Sequence, residues 1–231
     1  MVGWPRIASY VVQRPDRDPR QLGLLAFLTP ASVNWVIRHR AWTPFHLRAY
    51  WRFLVLKLRH PHVVTEGFVY LGRRVELSAR PGYGRIVLGR WVHLGDGTRL
   101  RAHEGTLRVG DKAVFGRENT VNCYLDIEFG ARSLVADWVY VCDFDHRFDD
   151  LDVPIKDQGI VKAPVRVGPD VWVGVKASIL RGAVVGEGSV LAAHTVVRGA
   201  VPAWSVVAGV PGRVVRTRVA QQPGGARQQP S

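Results

Sequence analysis

Residues 167–216 carry the most regular pattern in this chain: VGPDVWVGVKASILRGAVVGEGSVLAAHTVVRGAVPAWSVVAGVPGRVVR. A small residue usually follows an aliphatic residue that recurs at every sixth position, at Val167, Val173, Ile179, Val185, Leu191 and Val197. An amphipathic helix would place apolar residues at i, i+3, i+4 and i+7, so this period does not indicate a helix. Each hexapeptide is better explained as one short strand and one turn, and three of them as one triangular coil of a solenoid.

The same phase recurs upstream in three shorter blocks, which start at Leu88, Val109 and Phe129 and are separated by short insertions. Since one coil cannot bury its own apolar side, the coils must stack on one another. The pattern therefore predicts an all-β parallel solenoid. A glycine-rich β-sandwich with accidental periodicity is the alternative, and the phase that holds without a slip from Val167 to Val197 disfavours it.

The chain divides into three predicted segments. Residues 1–62 form a basic, partly helical extension, residues 63–218 form the solenoid with a protruding loop at 147–166, and residues 219–231 have the composition of a short disordered tail. Within the extension, residues 44–59 read PFHLRAYWRFLVLKLR, with apolar side chains near helical spacing and basic residues between them. We expect a basic amphipathic helix that either caps the open end of the solenoid or contacts anionic lipid.

The formal net charge of +13 over 231 residues fits an anionic partner, such as nucleic acid, a membrane surface or a polyphosphorylated cofactor. No RNP, zinc-finger or helix-turn-helix signature is present, so we do not expect a nucleic-acid binder. The two cysteines, Cys123 and Cys142, lack metal-ligand spacing, which argues against a zinc site or a disulfide framework. Without a signal peptide or a long apolar run, the expected location is the cytoplasm, with peripheral attachment at the inner face of the plasma membrane as a variant.

Residues 86–216 resemble the hexapeptide-repeat acyltransferases, a superfamily that includes sugar O-acetyltransferases. The elements V-W-[IV]-G, I-L-x-G-x-x-[IV]-G and A-G-x-P-x-x-[IV] occur in order. The resemblance implies a left-handed parallel β-helix, acetyl-CoA or a longer acyl-CoA as co-substrate without a metal, and transfer to a hydroxyl of a sugar, polysaccharide or glycolipid. N-acylation of an amino sugar is the nearest alternative. A non-catalytic or metal-dependent β-helix protein is another, although His146 has no H-x₄-H companion.

The repeat stops after Val141 and resumes at Val167, and the segment between them holds a single histidine, His146, with five aspartates near it: Asp143, Asp145, Asp149, Asp150 and Asp152. An imidazole with a carboxylate partner can act as a general base near neutral pH. The resemblance implies that His146 is the catalytic base, because the family's histidine lies where a strand leaves the coil. We further expect Asp145 to orient the imidazole and Asp143 to contact the acceptor. The resemblance implies that Asn122 helps to hold the acceptor, and an asparagine ladder residue at a coil corner is the alternative. A solvated surface loop is the alternative, and His194 is the rival base.

The resemblance also assigns an acyl-CoA site. It implies that the backbone N–H of Val175 faces the thioester, that the backbone of Ala193 meets pantetheine, and that Arg213 meets the phosphates. Arg198 stands where the family often has Thr-Lys, so it is the alternative phosphate ligand. Two further positions are assigned to this site, Trp172 and His194. A solvated basic end of the helix is the alternative explanation for the two arginines.

Outward repeat positions hold bulky apolar residues at Trp138, Tyr140 and Trp172, which a monomer would leave in water. We therefore expect a homotrimer, in agreement with what the resemblance implies. Each site would then lie between two protomers. His146, Asp145 and Asn122 would come from one, and the surface from Val175 to Ala193 from its neighbour.

Overall fold

The computed structural model describes residues 30–60 and 62–218, so the predicted tail, 219–231, lies outside the described residues. Residues 63–208 wind into a parallel β-solenoid in which every complete coil contributes one strand to each of three sheets. Six coils are complete and a seventh is partial. The prediction of an all-β parallel solenoid is therefore confirmed.

The three sheets form the three faces of the solenoid, numbered here in the order in which the chain reaches them. The first face consists of β1 (Val63–Thr65), β4 (Gly84–Leu88), β7 (Gly105–Val109), β10 (Asp126–Phe129), β15 (Val165–Val167), β18 (Val184–Val185) and β21 (Ala200–Val201). The second consists of β2 (Tyr70–Leu71), β5 (His93–Leu94), β8 (Val114–Phe115), β11 (Leu134–Val135), β16 (Trp172–Val173), β19 (Val190–Leu191), β22 (Ser205–Ala208) and the antiparallel β23 (Arg213–Thr217). The third consists of β3 (Glu76–Ala79), β6 (Arg99–Ala102), β9 (Thr120–Cys123), β12 (Tyr140–Cys142), β17 (Ser178–Ile179) and β20 (Val196–Val197).

The register stacks the aliphatic position of one hexapeptide directly on that of the next coil. On the first face this produces one continuous buried column: Leu88, Val109, Phe129, Val167, Val185 and Val201. Successive side chains of a strand point to opposite faces, so the residue beside each member of the column faces outward. The six-residue period thus reports directly on which side chains fill the axis of the solenoid.

The corners between faces are tight. At Gly95 an added Cβ would lie 2.2 Å from the carbonyl oxygen of Gly116 in the next coil, so only glycine fits there. Other corner residues occupy the left-handed region without being glycine, among them Trp138 with φ 55° and His194 with φ 58°. Stacking of the coils holds these residues in a conformation that costs an isolated L-residue free energy.

In the part of the chain that the structure describes, two helices precede the solenoid, α1 (Pro30–Arg38) and α2 (Pro44–Arg59). The second helix buries Phe53 against the ring of Phe68, at a centroid distance of 5.1 Å, and so closes the open end of the first coil. Lys57 Nζ donates to Thr65 Oγ1 at 3.0 Å and fixes the helix to β1. The capping role expected for residues 44–59 is therefore present. Within the described part of the chain, no helix is both long enough and apolar enough to span a bilayer.

One excursion interrupts the solenoid after the fourth coil. It is a β-hairpin of β13 (Phe144–His146) and β14 (Ile160–Lys162), with a 3-10 turn at Ile155–Asp157 in its loop. The predicted loop, 147–166, therefore needs correction. The excursion already begins at β13 and includes β14, whereas Val165 and Arg166 belong to β15, which pairs with β10. Stacking resumes there as if the hairpin were absent.

Candidate active site

The hairpin determines where His146 stands. Phe144 is paired with Lys162 and His146 with Ile160, and the N–H of Arg147 donates to the carbonyl of Gly159 at 3.0 Å. Alternation along β13 places Phe144 and His146 on one side of the hairpin and Asp145 on the other. The imidazole is solvent-exposed at the end of the strand, where an acceptor can reach it.

Asp143 anchors the base of the hairpin. Its carboxylate is fully buried and accepts hydrogen bonds of 2.8 Å from the backbone N–H groups of Tyr124, Leu125 and Asp126, at the corner between the third and fourth coils. Its own carbonyl accepts from Ala163 N at 2.9 Å, which closes the hairpin. The expectation that Asp143 contacts the acceptor is therefore corrected, because its carboxylate is fully buried and bound to three backbone N–H groups.

The same carboxylate affects the nearest thiol. Burial and the negative charge of Asp143, 3.5 Å away, raise the pKa of Cys123 far above its usual range. Burial also raises the pKa of Cys142. Both cysteines are free and buried, so neither has the exposed thiolate that a covalent nucleophile requires.

An aromatic stack supports the side of the hairpin that carries His146. The ring of Phe144 lies edge-on to Tyr124 at 4.5 Å and to His146 at 6.1 Å, and Tyr124 stacks on His103 at 4.6 Å. These rings come from three successive coils and restrict the orientation of β13. Sequence reasoning did not identify this stack, because the three aromatic residues are about twenty positions apart.

Asp145 has different partners from those expected. Its Oδ2 accepts from Nε of Arg181 at 2.9 Å and from a terminal nitrogen of Arg198 at 3.0 Å. Partial burial acts to raise the pKa of Asp145, but the two guanidinium groups outweigh it and hold that pKa below its usual value. The assignment of Asp145 to orienting His146 is therefore corrected, since its carboxylate lies on the opposite side of the strand. It joins the hairpin to the fifth and sixth coils.

Arg181 was not predicted. It precedes a glycine at the corner of its coil just as Arg198 does one coil later, in the dipeptides Arg181-Gly182 and Arg198-Gly199. That repeated Arg-Gly pair was the signal that could have identified it.

These groups enclose an open cleft of about 610 Å³. Three arginines and two aspartates contribute to its lining, together with His146 and two apolar side chains: Asp145, His146, Arg147, Phe148, Asp149, Val161, Arg181 and Arg198. The excess of guanidinium groups favours an anionic ligand. The predicted residues His146, Asp145 and Arg198 are therefore brought together.

Asn122 lies on the third face and does not line this cleft. It points outward from β9, beside Tyr140 of the next coil. Burial raises the pKa of the Tyr140 phenol, and the Asn122 amide beside it opposes part of that effect. Contact of Asn122 with an acceptor stays a prediction.

The corner between the second and third faces shows a repeated backbone cap. The N–H of Arg73 donates to the carboxylate of Asp96 in the next coil at 2.7 Å, and the N–H of Arg117 donates to Asp137 in the same way, also at 2.7 Å. At this corner, the N–H groups of Arg73 and Arg117 thus each receive an aspartate acceptor from the coil stacked on them.

The hydrogen bonds of the described residues include no such cap on Asp96, Asp137, Val175 or Ala193, and the last two lie where the acyl-CoA site is expected. The register of β16 with β19 stacks Val175 on Ala193, which has no acceptor in its side chain. Among the hydrogen bonds of residues 30–60 and 62–218, the N–H groups of Val175 and Ala193 have no partner. His194 N donates to the carbonyl of Val175 at 2.9 Å and fixes the corner. Two adjacent coils therefore present open backbone donors, which suit the carbonyl oxygens of a thioester and a pantetheine arm.

The other predicted positions lie at a distance from the cleft. Trp172 stands between Leu134 and Val190 on the outer side of the second face, with 51% of its surface exposed. Arg213 begins β23 at the end of the solenoid and is exposed. No cluster of three or more metal-ligating side chains occurs in the described part of the chain.

Comparison with known proteins adds a family match. The model of the family described as bacterial transferase hexapeptide (six repeats) matches residues 164–199. A protein of Mycobacterium tuberculosis named as a probable acetyltransferase is 56% identical over 202 residues, which are 87% of this chain and 66% of that protein. The chain thus spans just under two thirds of that relative.

Two further comparisons reach a more distant relative and a solved structure. A protein of Escherichia coli named as an O-acetyl transferase of lipopolysaccharide biosynthesis is 31% identical over 147 residues, 58% of this chain and 72% of that protein. The crystal structure of AntD, an N-acyltransferase from Bacillus cereus in complex with dTDP and 3-hydroxybutyryl-CoA, has a TM-score of 0.61. It is 19% identical and covers 71% of this chain and 87% of its own, which shows a shared fold.

Proposed function

Because this chain belongs to the hexapeptide-repeat, CoA-dependent acyltransferases, we propose that it transfers an acyl group from acyl-CoA to a sugar hydroxyl, with His146 as the general base. The acceptor is a sugar, a polysaccharide or a glycolipid, and acetyl is the simplest acyl group. One observation supports this most directly: an exposed imidazole is held by a braced hairpin at the rim of a cationic cleft.

His146 removes the proton from the acceptor hydroxyl. Histidine is suited to this role because its side chain exchanges a proton near neutral pH. The aromatic contact with Phe144 and the pairing of β13 with β14 hold the ring in place. Since both thiols are buried, the acceptor oxygen takes the acyl group directly, without a covalent enzyme derivative.

Acyl-CoA supplies the acyl group as an activated thioester. The open N–H of Val175 donates to the thioester carbonyl oxygen and stabilises the negative charge that develops there. The N–H of Ala193 holds the pantetheine arm one coil further. Exposed guanidinium groups at Arg198 and Arg213 meet the phosphates, while Trp172 and His194 border the same surface.

We propose that the site is shared between protomers of a homotrimer. The cleft around His146 includes neither Val175 nor Ala193, because His146 leaves one end of the third face and Val175 lies at the other. The second face exposes Leu134 and Trp172 side by side, a surface that a neighbouring copy would cover. His146 of one protomer then meets the corner from Val175 to Ala193 of the next.

A hydroxyl acceptor is favoured over an amine by the relative from Escherichia coli, which is named as an O-acetyl transferase. The purified protein should release free thiol from acetyl-CoA, octanoyl-CoA or a longer acyl-CoA when a hydroxyl-bearing glycan is supplied. An amino sugar that reacts faster than its hydroxyl analogue would reverse the choice of acceptor. If the His146→Ala variant released as much free thiol as the wild type, His146 would not be the general base.

A further inference from the structure

Helix α2 carries two apolar stripes on opposite sides. Ala49, Phe53 and Leu56, at i, i+4 and i+7, are buried against the first coil. A second stripe is exposed and runs along the helix at i, i+4, i+7 and i+11: Leu47, Trp51, Leu54 and Leu58. At 100° per residue, the centres of the two stripes are about 160° apart. Capping the solenoid therefore accounts for only one of them.

The outward stripe consists of large side chains. Trp51 is 66% exposed and Leu58, two turns further along the helix, is 63% exposed. Ile37 of α1 and Trp42 before α2 are also exposed, by 58% and 55%. Contiguous bulky apolar groups of this kind are uncommon on a surface that faces only water, and they mark a contact site.

The charge around this surface has one sign. Residues 30–65 contain six arginines and lysines and no aspartate or glutamate, and the first acid after them is Glu66. Arg48 and Arg59 are exposed on α2, and at 100° per residue they project about 90° and about 110° from the centre of the outward stripe, on the flank between the two stripes. A partner must therefore accept apolar side chains and positive charge together.

We propose that the outward stripe of α2, with Arg48 and Arg59 beside it, docks this protein on an anionic lipid surface. Acyl chains receive the apolar side chains, phosphate headgroups pair with the guanidinium groups, and indole rings such as Trp51 suit the boundary between them. A second copy of the chain would bring the same positive charge to the contact and be repelled. This inference stands independently of the acyl-transfer chemistry, because it involves neither the hairpin nor the cleft.

Flotation of the full-length protein with vesicles tests the docking. We expect co-flotation with phosphatidylglycerol vesicles at low salt, at least ten-fold less with phosphatidylcholine vesicles, and a marked loss at high salt, because salt screens the headgroup charge. The variant Trp51→Ser/Leu58→Ser should lose co-flotation, and Arg48→Glu/Arg59→Glu should weaken it at least ten-fold. Matched controls are Tyr83→Ser, an aromatic residue that is 62% exposed on a solenoid corner, and Arg108→Glu on the first face.

Both controls should float like the wild type, and far-ultraviolet circular dichroism should show that all four variants are folded. Absence of co-flotation at low salt would overturn the proposal. So would equal flotation of the Trp51→Ser/Leu58→Ser variant, since the stripe would then not be the contact. Self-association of the wild type that this variant abolishes, without any vesicle binding, would show a protein contact instead.

Discussion

The Nε atom of Arg181 donates a hydrogen bond to Oδ2 of Asp145 across 2.9 Å and ties the hairpin that carries His146 to the coil that follows it. The same oxygen also accepts from Arg198, at 3.0 Å. One carboxylate thus joins an inserted hairpin to two coils of the solenoid. The position of His146, the next residue along the strand, depends on that link.

The link should depend on pH. The pKa of Asp145 is lowered in the folded protein, so its contribution is present above the unfolded value of about 4 and is lost as the pH falls through the folded value. We expect the protection of the Arg147 N–H from hydrogen exchange, corrected for intrinsic rates, to fall below pH 4. Asp145→Asn should show the lower protection already at pH 7. Asp149→Asn, in the exposed loop, should behave as the wild type, and the same pH dependence in Asp145→Asn would contradict this role.

Replacement of His146 should separate chemistry from binding. We expect His146→Ala to lower kcat by about 10²–10⁴-fold, the usual contribution of a general base. The side chain is exposed at the end of β13, so the melting temperature and the Kd for CoA should stay close to wild type. His62→Ala, at an exposed histidine far from the hairpin, is the matched control, and His194→Ala tests the rival base. If His194→Ala lost the turnover while His146→Ala kept it, the base would have been misassigned.

Asp143→Ala should be a folding variant. It would leave three backbone N–H groups of a buried corner without an acceptor, and we expect a loss of about 3–5 kcal/mol in the free energy of unfolding, measured with urea. Asp143→Asn retains an acceptor oxygen and should lose less. Asp149→Ala provides the exposed control. Unchanged stability together with weaker acceptor binding would restore the acceptor role that the geometry argues against.

Ala193→Asn should place a side-chain oxygen on the backbone N–H of Val175 and so block that donor. The upstream caps of Asp96 on Arg73 and Asp137 on Arg117 show that a side-chain oxygen at this position reaches the N–H one coil earlier. Removal of one such donor typically costs about 10²-fold in kcat. The register of β18 with β21 places Ala203 on Glu187 at a different corner, so Ala203→Asn is the matched control and should keep full activity. Equal activity of the two variants would exclude the Val175 N–H from the reaction.

The molar mass of the assembly in solution tests the proposed homotrimer. Light scattering should give about three times the 25.7 kDa chain mass. Trp172→Glu, which places a charge on the second face, should yield monomers and lose turnover at the same time. Tyr83→Glu is an exposed control on the first two coils and should remain assembled. A monomer that stays fully active on dilution would refute both the trimer and the shared site.

The sequence was sufficient for the solenoid because its signal is local. Each coil needs an apolar residue at the axis and a small residue at the corner. The positions of Val173 and Gly174 in their coil can therefore be predicted from their residue types alone, whatever the other coils contain. The helix at Pro44–Arg59 was equally readable, from the spacing of its apolar side chains.

The details of the site were harder to predict from the sequence, because they depend on which residues the hairpin and the strand register bring together. Asp145 and Arg181 are 36 positions apart, and their contact requires both the hairpin pairing and the corner of the fifth coil. Asp143 looks like any loop acid until the N–H groups of residues 124–126 are known to converge on it. Asp143 and Asp145 are only two positions apart in the sequence, and yet they have unrelated roles.

Because the coils stack in parallel at a constant spacing, the fold also fixes the distance between helix α2 and His146. Neighbouring coils are about 4.8 Å apart, so the fourth coil, from which His146 emerges, stands about 14 Å beyond the first. Helix α2 adds its own thickness of about 10 Å on the capped end. With α2 resting on a bilayer, the imidazole would act about 25 Å above the headgroups. A hydroxyl close to the lipid would be out of reach, and one on a distal sugar would be within it. Inserting or deleting one coil between α2 and the hairpin should then move the modified position along the glycan.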